Sequence, residues 1–438
     1  MKLAEKIKKL FSKDIKIYKE NIPIITNIKE KNEKITSVFQ NKRIIEDIPF
    51  IKKEVHIKTS FEEKVSYMTE VQIIDKKTNF DRKISFFKRK FPTLILLFIS
   101  LSVFAVKIPK EIAFEKKTFS TKSGKQVAYV ARISPDQDIS LRVALADFQI
   151  FKRLPLSKLA KKYNAIAAIN GAFFSWNGQP LGTIIINHKI VSLPVYKRSV
   201  FCITDNSKWF ITTPEIDPYF IYKKKKYKID GINQKKFEDS LIIYTPEFGR
   251  RTNTDSIGLE IAMIKDRVIE LSTRNSYIPP DGYVISIHDD DLLDEFSDMR
   301  FMDKVEFQIS LEEKMKDVRY AIGGGPRLVK DSEIDVRDVQ EKFKPNLVIQ
   351  KAPRTGIGID KNGNIIMAVV DGRQKGYSIG LSLKEFARFM HSLGCIDAMN
   401  LDGGGSTTMV IDDSLINRPS DGQERELNGA IIIEKRAD

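Results

Sequence analysis

The sequence predicts an α+β fold of mixed sheets with flanking helices, preceded by a single transmembrane helix, with glycine-rich strand-end loops converging on one site. Three observations carry this expectation. A helix pattern followed by a strand and then a glycine occurs twice, in "LSKLAKKYNAIAAINGAFF" from Leu156 and in "SLKEFARFMHSLGCIDAMNLDGGGST" from Ser382. A third strand-then-glycine corner, "YAIGGGPRLV", runs from Tyr320 to Val329. An uncharged apolar run, Phe91–Val106, divides a glycine-free beginning from a glycine-containing remainder. Alternating strand-rich and helix–strand segments suit layered sheets and helices around one core, and ligands in open sheets collect outside strand ends.

Residues 1–90 hold 23 Lys and Arg against 13 Asp and Glu, so they carry +10 of the chain's net +15. All 23 glycines lie at or beyond Gly124. "KLAEKIKKLF" has the spacing of an amphipathic helix, whereas "EVHIKTSFEEKVSYMTEVQII" alternates as strands do. The excess charge has no interleaved aromatic residues of the RNA-binding kind, so nucleic acid is not expected as a partner. A basic segment beside an anionic membrane leaflet fits better. The run Phe91–Val106 has 16 residues, roughly 24 Å as helix, and Lys107 can snorkel so that Ile108 joins it. The alternative is a buried core helix. Arg82, Lys83, Lys88, Arg89 and Lys90 precede the run and put its N-terminal side in the cytoplasm. The expected organisation is therefore a basic cytoplasmic region at 1–90, a transmembrane anchor at 91–108 and an extracytoplasmic domain at 109–438. "VFA", ending at Ala105, leaves cleavage open, but ninety residues are long for a removed leader.

Beyond Thr118 the strand runs begin: "QVAYVARI", "SLRVALAD" and "GTIIINHKIVSL", with Asn187-His188 as a hairpin tip. A Lys- and Tyr-rich stretch around "KKKKYK" reads as a solvated hairpin, and "GLEIAMIKDRVIEL" as another strand–turn–strand. "HDDDLLDEF", from His288, places its acids where a helix N-terminus favours them. Ser382 and Glu385 have capping-box spacing, and Gly394 suits the residue after a helix end. Cys202 and Cys395 sit in apolar runs and read as buried thiols. The histidines His56, His188, His288 and His391 lack ligand spacing with cysteine, so no structural zinc is expected. No cofactor is required, although a loosely bound Ca²⁺ or Mg²⁺ near the acids remains open.

The chemistry gathers at the glycines. Gly171, Gly324, Gly403, Gly404 and Gly405 let backbone approach a ligand, and successive N–H groups can face an anion. A phosphate-binding loop of the nucleotide kind would need a lysine after the glycines, and Ser406-Thr407-Thr408 stand there instead. Arginines come from the neighbouring runs: Arg354 in "APRTGIGID", Arg373 in "VVDGRQKG", and Arg418 and Arg425 in "NRPSDGQERE", with Asp421 and Glu424. Arginine grips phosphate with two parallel donors. Asp371 and Asp402 each close an apolar strand and precede a glycine.

The ordered set "AAINGAFF", "RTN", "IPPDGYVIS", "IGGGPRLV", "PRTGIGID", "VVDGR", "NLDGGGSTTM" and "NRPSDGQERELNGAIII" resembles the phosphodiester glycosidase family. The departures are "NGAFF" for the commoner "NGGFF", a threonine for a second serine in "GGGSTTM", and "ELNGAIII" for an ending with Asn-Ala; residues 1–110 fall outside the likeness. The resemblance implies hydrolysis of a sugar-1-phosphodiester between the anomeric carbon and the phosphate oxygen, in an envelope or exopolysaccharide glycan. Arg354, Arg373 and Arg418 would hold the anion, with Ser406 and Thr407 as further donors. Asp402, or else Asp371, would be nucleophile or base; Asn170 and Asp421 would orient sugar hydroxyls; Phe173 or Phe174 would stack on the ring. A non-catalytic glycan-binding module and a glycosyl-phosphate transferase are the alternatives.

Overall fold

The computed structural model describes residues 108–436 apart from 236, 238, 256 and 257. The basic region at 1–90 and the anchor candidate up to residue 107 lie outside the described residues. Among the described residues no helix is long and apolar enough to cross a membrane.

The fold is dominated by sheets. Seven strands form the largest, in the order Ile112–Thr121, Gly124–Ile133, Ile365–Val370, Arg354–Asp360, Cys395–Asn400, Arg327–Lys330 and Glu333–Ile334. A five-stranded sheet runs Ser414–Leu415, Met409–Ile411, Ala167–Asn170, Gly429–Lys435 and Ile139–Leu145. Another runs Lys189–Ser192, Ile184–Ile186, Val318–Gly323, Val200–Thr204 and Trp209–Thr212. Val127, Ile133, Ile357 and Met399 of the first, Val143, Ile169 and Ile431 of the second, and Phe201 and Ile322 of the third share one buried core.

Two helices cover outer faces. Leu383–Ser392 packs Phe386 and Met390 on Ala368 and Val370, and Leu156–Lys162 packs Leu159 and Ala160 on Ala168 and Ile432. Ile365–Val370, covered on both faces, is therefore apolar at every position and buried throughout. The longer helix begins with the expected capping box, Ser382 accepting from Glu385 N and Glu385 accepting from Ser382 N, an arrangement worth about 1 kcal/mol. Gly394 follows its end at φ +87°. Asn187 and His188 take left-handed φ at the hairpin tip, the conformation a two-residue hairpin needs. The acids after His288 cap a short helix, Asp289 accepting from Leu292 N at 3.1 Å. Cys202 and Cys395 are both buried and free.

Among the described residues the expectation of mixed sheets is met only in the sheet that holds Gly231–Ile232 and Ser240–Tyr244. The three sheets above are antiparallel throughout, and among the described residues the parallel pairing joins Gly231–Ile232 to Ser240–Tyr244. Helix–strand succession does not produce parallel crossovers in these sheets. Instead each strand after a helix inserts between partners distant in sequence: Cys395–Asn400 lies between Arg354–Asp360 and Arg327–Lys330, and Ala167–Asn170 between Met409–Ile411 and Gly429–Lys435. The helices are outer cover, so the described part of the chain is sheet-rich rather than evenly α+β.

Candidate active site

The three glycine corners meet. Asp402 N donates to Gly171 O at 3.1 Å, and Gly325 N to Asn400 O at 2.7 Å. A side chain at Gly324 would collide with Asn400 O, and one at Gly171 with Ile322. These two glycines therefore let strand ends touch, and neither lines a cleft with the others.

Each glycine of the Asp402–Ser406 loop has its own reason. A Cβ at Gly403 would lie 2.8 Å from Pro353 O. Gly404 has φ +62°, and its Cβ would press on the Arg373 guanidinium at 3.1 Å. A Cβ at Gly405 would collide with the Arg425–Asp421 pair. Most of the loop's N–H groups are already engaged: Gly403 N on Asp402 Oδ1 at 2.9 Å, Gly404 N on Pro353 O, Ser406 N on Gly403 O and Thr407 N on Gly404 O, with Gly405 N not among them. The loop therefore offers an anion less free backbone than the sequence suggested. It is a tight turn that holds a carboxylate against arginines.

Asp402 sits at the junction of two clefts, of about 500 and 550 Å³, and both are also lined by Arg425. Among the described residues Asp402 is the sole carboxylate lining the first cleft, whose charged walls are otherwise Arg198, Lys342, Lys344, Arg354, Arg373 and Arg425. Burial pushes Asp402 up to about 6, against the pull of a Ser406 hydrogen bond, the Gly403 N–H and the charge of Arg425. Ser406 Oγ also accepts from Arg425 Nη1 at 3.4 Å, tying the arginine to the same loop. Arg425 Nη2 pairs with Asp421 at 2.7 Å.

Arg354 is buried, with Nε donating to Leu381 O at 2.8 Å and Nη2 to Leu347 O and Gln350 O at 2.9 and 2.7 Å. Burial and the neighbouring Arg373 lower it to about 10. Two guanidiniums that repel each other beside a cleft would be relieved by an anion between them.

The second cleft has a different lining: Phe174, Ser175, Trp176, Asp421, Gln423 and Glu426 among others. Trp176 is 90% exposed. An exposed indole beside polar side chains suits a sugar ring and its hydroxyls.

Several expected roles are corrected. Asp371 is fully buried and lines neither cleft; it accepts from Asn417 Nδ2 at 2.9 Å, Arg418 N at 3.0 Å and Tyr377 Oη at 3.1 Å. Burial raises its pKa despite those bonds, and its place is structural. Asn170 is also fully buried. Its Nδ2 donates to Asp402 O at 2.6 Å, and its Oδ1 accepts from Thr355 Oγ1 at 2.7 Å and Thr408 N at 3.0 Å. It positions the loop and cannot reach a sugar. Thr407 is buried away from both clefts. Arg418 is exposed, with its guanidinium 5.4 Å from the Tyr377 ring centre, outside either cleft. Glu424 accepts from Ser157 N at the start of the helix Leu156–Lys162. Phe173 packs on Phe343 at 5.8 Å between ring centres and lines the cationic cleft, whereas Phe174 lines the other.

Residues 258–434 match the family profile described as "Phosphodiester glycosidase". This segment belongs to the phosphodiester glycosidase family. It holds Asp402, Arg354, Arg373, Arg425, Lys342 and Lys344, whereas Asn170, Trp176 and Arg198 precede it. The chain is 36% identical over 118 residues to the SPbeta prophage-derived uncharacterized protein YomE of Bacillus subtilis (strain 168), covering 27% of this chain and 18% of that one. It is 34% identical over 110 residues to the N-acetylglucosamine-1-phosphodiester alpha-N-acetylglucosaminidase of Mus musculus, covering 24% of this chain and 21% of that one. The chain thus spans about a fifth of the length of these curated relatives. A protein from Synechocystis of known crystal structure shares the fold, with a TM-score of 0.65 at 23% identity over 76% of this chain and 64% of that one.

Proposed function

We propose that the protein hydrolyses a sugar-1-phosphodiester, breaking the bond between the anomeric carbon and the phosphate oxygen. The observation that carries this reading is one carboxylate, Asp402, in a cleft whose other charged walls are cationic. Ordinary glycosidases pair a carboxylate with a carboxylic acid because an alkoxide leaves badly. A phosphate monoester leaves well, so cations can replace the acid by meeting the charge as it develops.

In this reading the phosphate lies against Arg354, Arg373 and Arg425, and the sugar lies on the Trp176 side of Asp402. The ionised Asp402 attacks the anomeric carbon, or takes a proton from the water that does. The C–O electron pair departs with the phosphate, and water supplies the new hydroxyl of the sugar. The name of the mouse relative, an N-acetylglucosamine-1-phosphodiester alpha-N-acetylglucosaminidase, describes chemistry of the same type.

The full chain incubated with a panel of glycosyl-1-phosphodiesters should release free sugar. Because Asp402 acts ionised and is held near 6, kcat/KM should rise about tenfold per pH unit below that value and level off above it. A profile that instead falls as pH rises through 6 would make Asp402 a proton donor. Saturable binding without release of sugar would favour a glycan-binding module.

A further inference from the structure

The cationic cleft carries more positive charge than one phosphodiester can neutralise. Arg425 is offset by Asp421. Arg354, Arg373 and Arg425 line the cleft with Asp402 and suffice for a single negative charge. Arg198, Lys342 and Lys344 line the same cleft as a second group. Arg198 lies 4.0 Å from the Phe343 ring centre and 5.1 Å from that of Tyr196, and Lys342 Nζ lies 5.4 Å from the Tyr196 ring. Arg198 Nε donates to Glu341 O at 3.1 Å, fixing the fork in place. Burial lowers its pKa, and the nearby Glu341 offsets this in part. The Glu341 carboxylate is itself occupied, accepting from Ser199 N, Ser199 Oγ and Arg327 N. Among the described residues no carboxylate forms an ion pair with Arg198, Lys342, Lys344 or Arg373.

The backbone contributes a second observation. Lys342 has φ +55° in a tight turn closed by Lys342 N on Val339 O and Phe343 N on Asp338 O. The turn sets Lys342 on the cleft wall beside Arg198.

We propose that this group binds a second phosphate, carried by the alcohol that departs with the first. The substrate is then a chain with repeated phosphates rather than a sugar phosphate joined to a neutral alcohol. The inference rests on the hydrolase reading above and names the class of its substrate. Clustered cations that outnumber the carboxylates beside them raise the local concentration of a polyanion and fix its register.

The test compares two substrates on the full chain at low salt: a glycosyl-1-phosphoglycerol, and the same compound with a phosphate on the far glycerol carbon. The second should show kcat/KM higher by about tenfold, the worth of one charge-assisted contact. In the double variant Lys342→Gln/Lys344→Gln the ratio should fall towards one. Equal kcat/KM for both substrates in the parent, or an advantage that survives the double variant, would overturn the proposal. Calorimetric binding of inorganic tripolyphosphate and orthophosphate keeps the outcomes separate. The parent should bind tripolyphosphate more tightly and the double variant should lose that preference. Loss of the preference without turnover of either substrate sinks the hydrolase reading and leaves the anion site. Turnover with no preference to lose sinks the anion site alone.

Discussion

Asp402→Asn should lower kcat on any glycosyl-1-phosphodiester the parent cleaves by about a thousandfold or more, as loss of an essential catalytic group does. Substrate binding should persist, because asparagine keeps the size of the side chain and an oxygen for the Gly403 N–H. The fold should also persist. The sign follows from the pKa: burial raises Asp402 to about 6, so the fold favours its protonated form and loses stability as pH rises through that value. A neutral asparagine at pH 7.5 is free of that cost, and the melting temperature should hold or rise. Asp371→Asn is the comparison. That residue lines neither cleft and anchors Asn417 and Arg418 N, so its loss should appear chiefly as lower stability. Near-parental turnover in Asp402→Asn would reduce Asp402 to a turn-forming residue.

Asn170→Ala should have the second largest effect and a different signature. Alanine would leave Asp402 O, Thr355 Oγ1 and Thr408 N without their present partner in a buried setting. Each such loss costs on the order of 1–3 kcal/mol, so the urea midpoint should report a loss of about 3 kcal/mol or more. Because Asp402 would also drift, kcat should fall about a hundredfold even in the folded fraction, as a displacement near 1 Å can do. The acid limb of the pH profile should shift with it, since the Ser406 and Gly403 bonds to Asp402 depend on the same loop. A stability loss with unchanged kcat and pH profile would make Asn170 an ordinary core amide.

These two residues show what the sequence displayed and what it hid. "NLDGGGST" exposed Asp402 because three glycines beside a strand-end acid have no use in a core. The convergence of Gly171, Gly324 and Gly404 was legible for the same reason. The capping box at Ser382, the hairpin tip at Asn187-His188 and the buried thiols were local patterns, readable from spacing alone. Asn170 had the right place but the wrong role, because burial is not written in a residue type. Asp371 repeated the strand-end pattern of Asp402, and only the fold turns it inward to Asn417 and Tyr377. Arg425 stood in a quoted run, yet its approach to Ser406 depends on a loop closing over Gly405. Arg198, Lys342, Lys344 and Trp176 carried no motif, since they reach the clefts from separate loops. The antiparallel sheets were missed because pairing partners such as Ala167–Asn170 and Gly429–Lys435 lie far apart in the chain.

The central claim is that the bond broken lies on the sugar side of the bridging oxygen. It is tested most directly by hydrolysis of a glycosyl-1-phosphodiester in ¹⁸O-labelled water, with both products weighed by mass spectrometry. Attack at the anomeric carbon puts the label in the released sugar and leaves the phosphate monoester unlabelled. Label in the phosphate would mean attack at phosphorus, and the role assigned to Asp402 would be wrong.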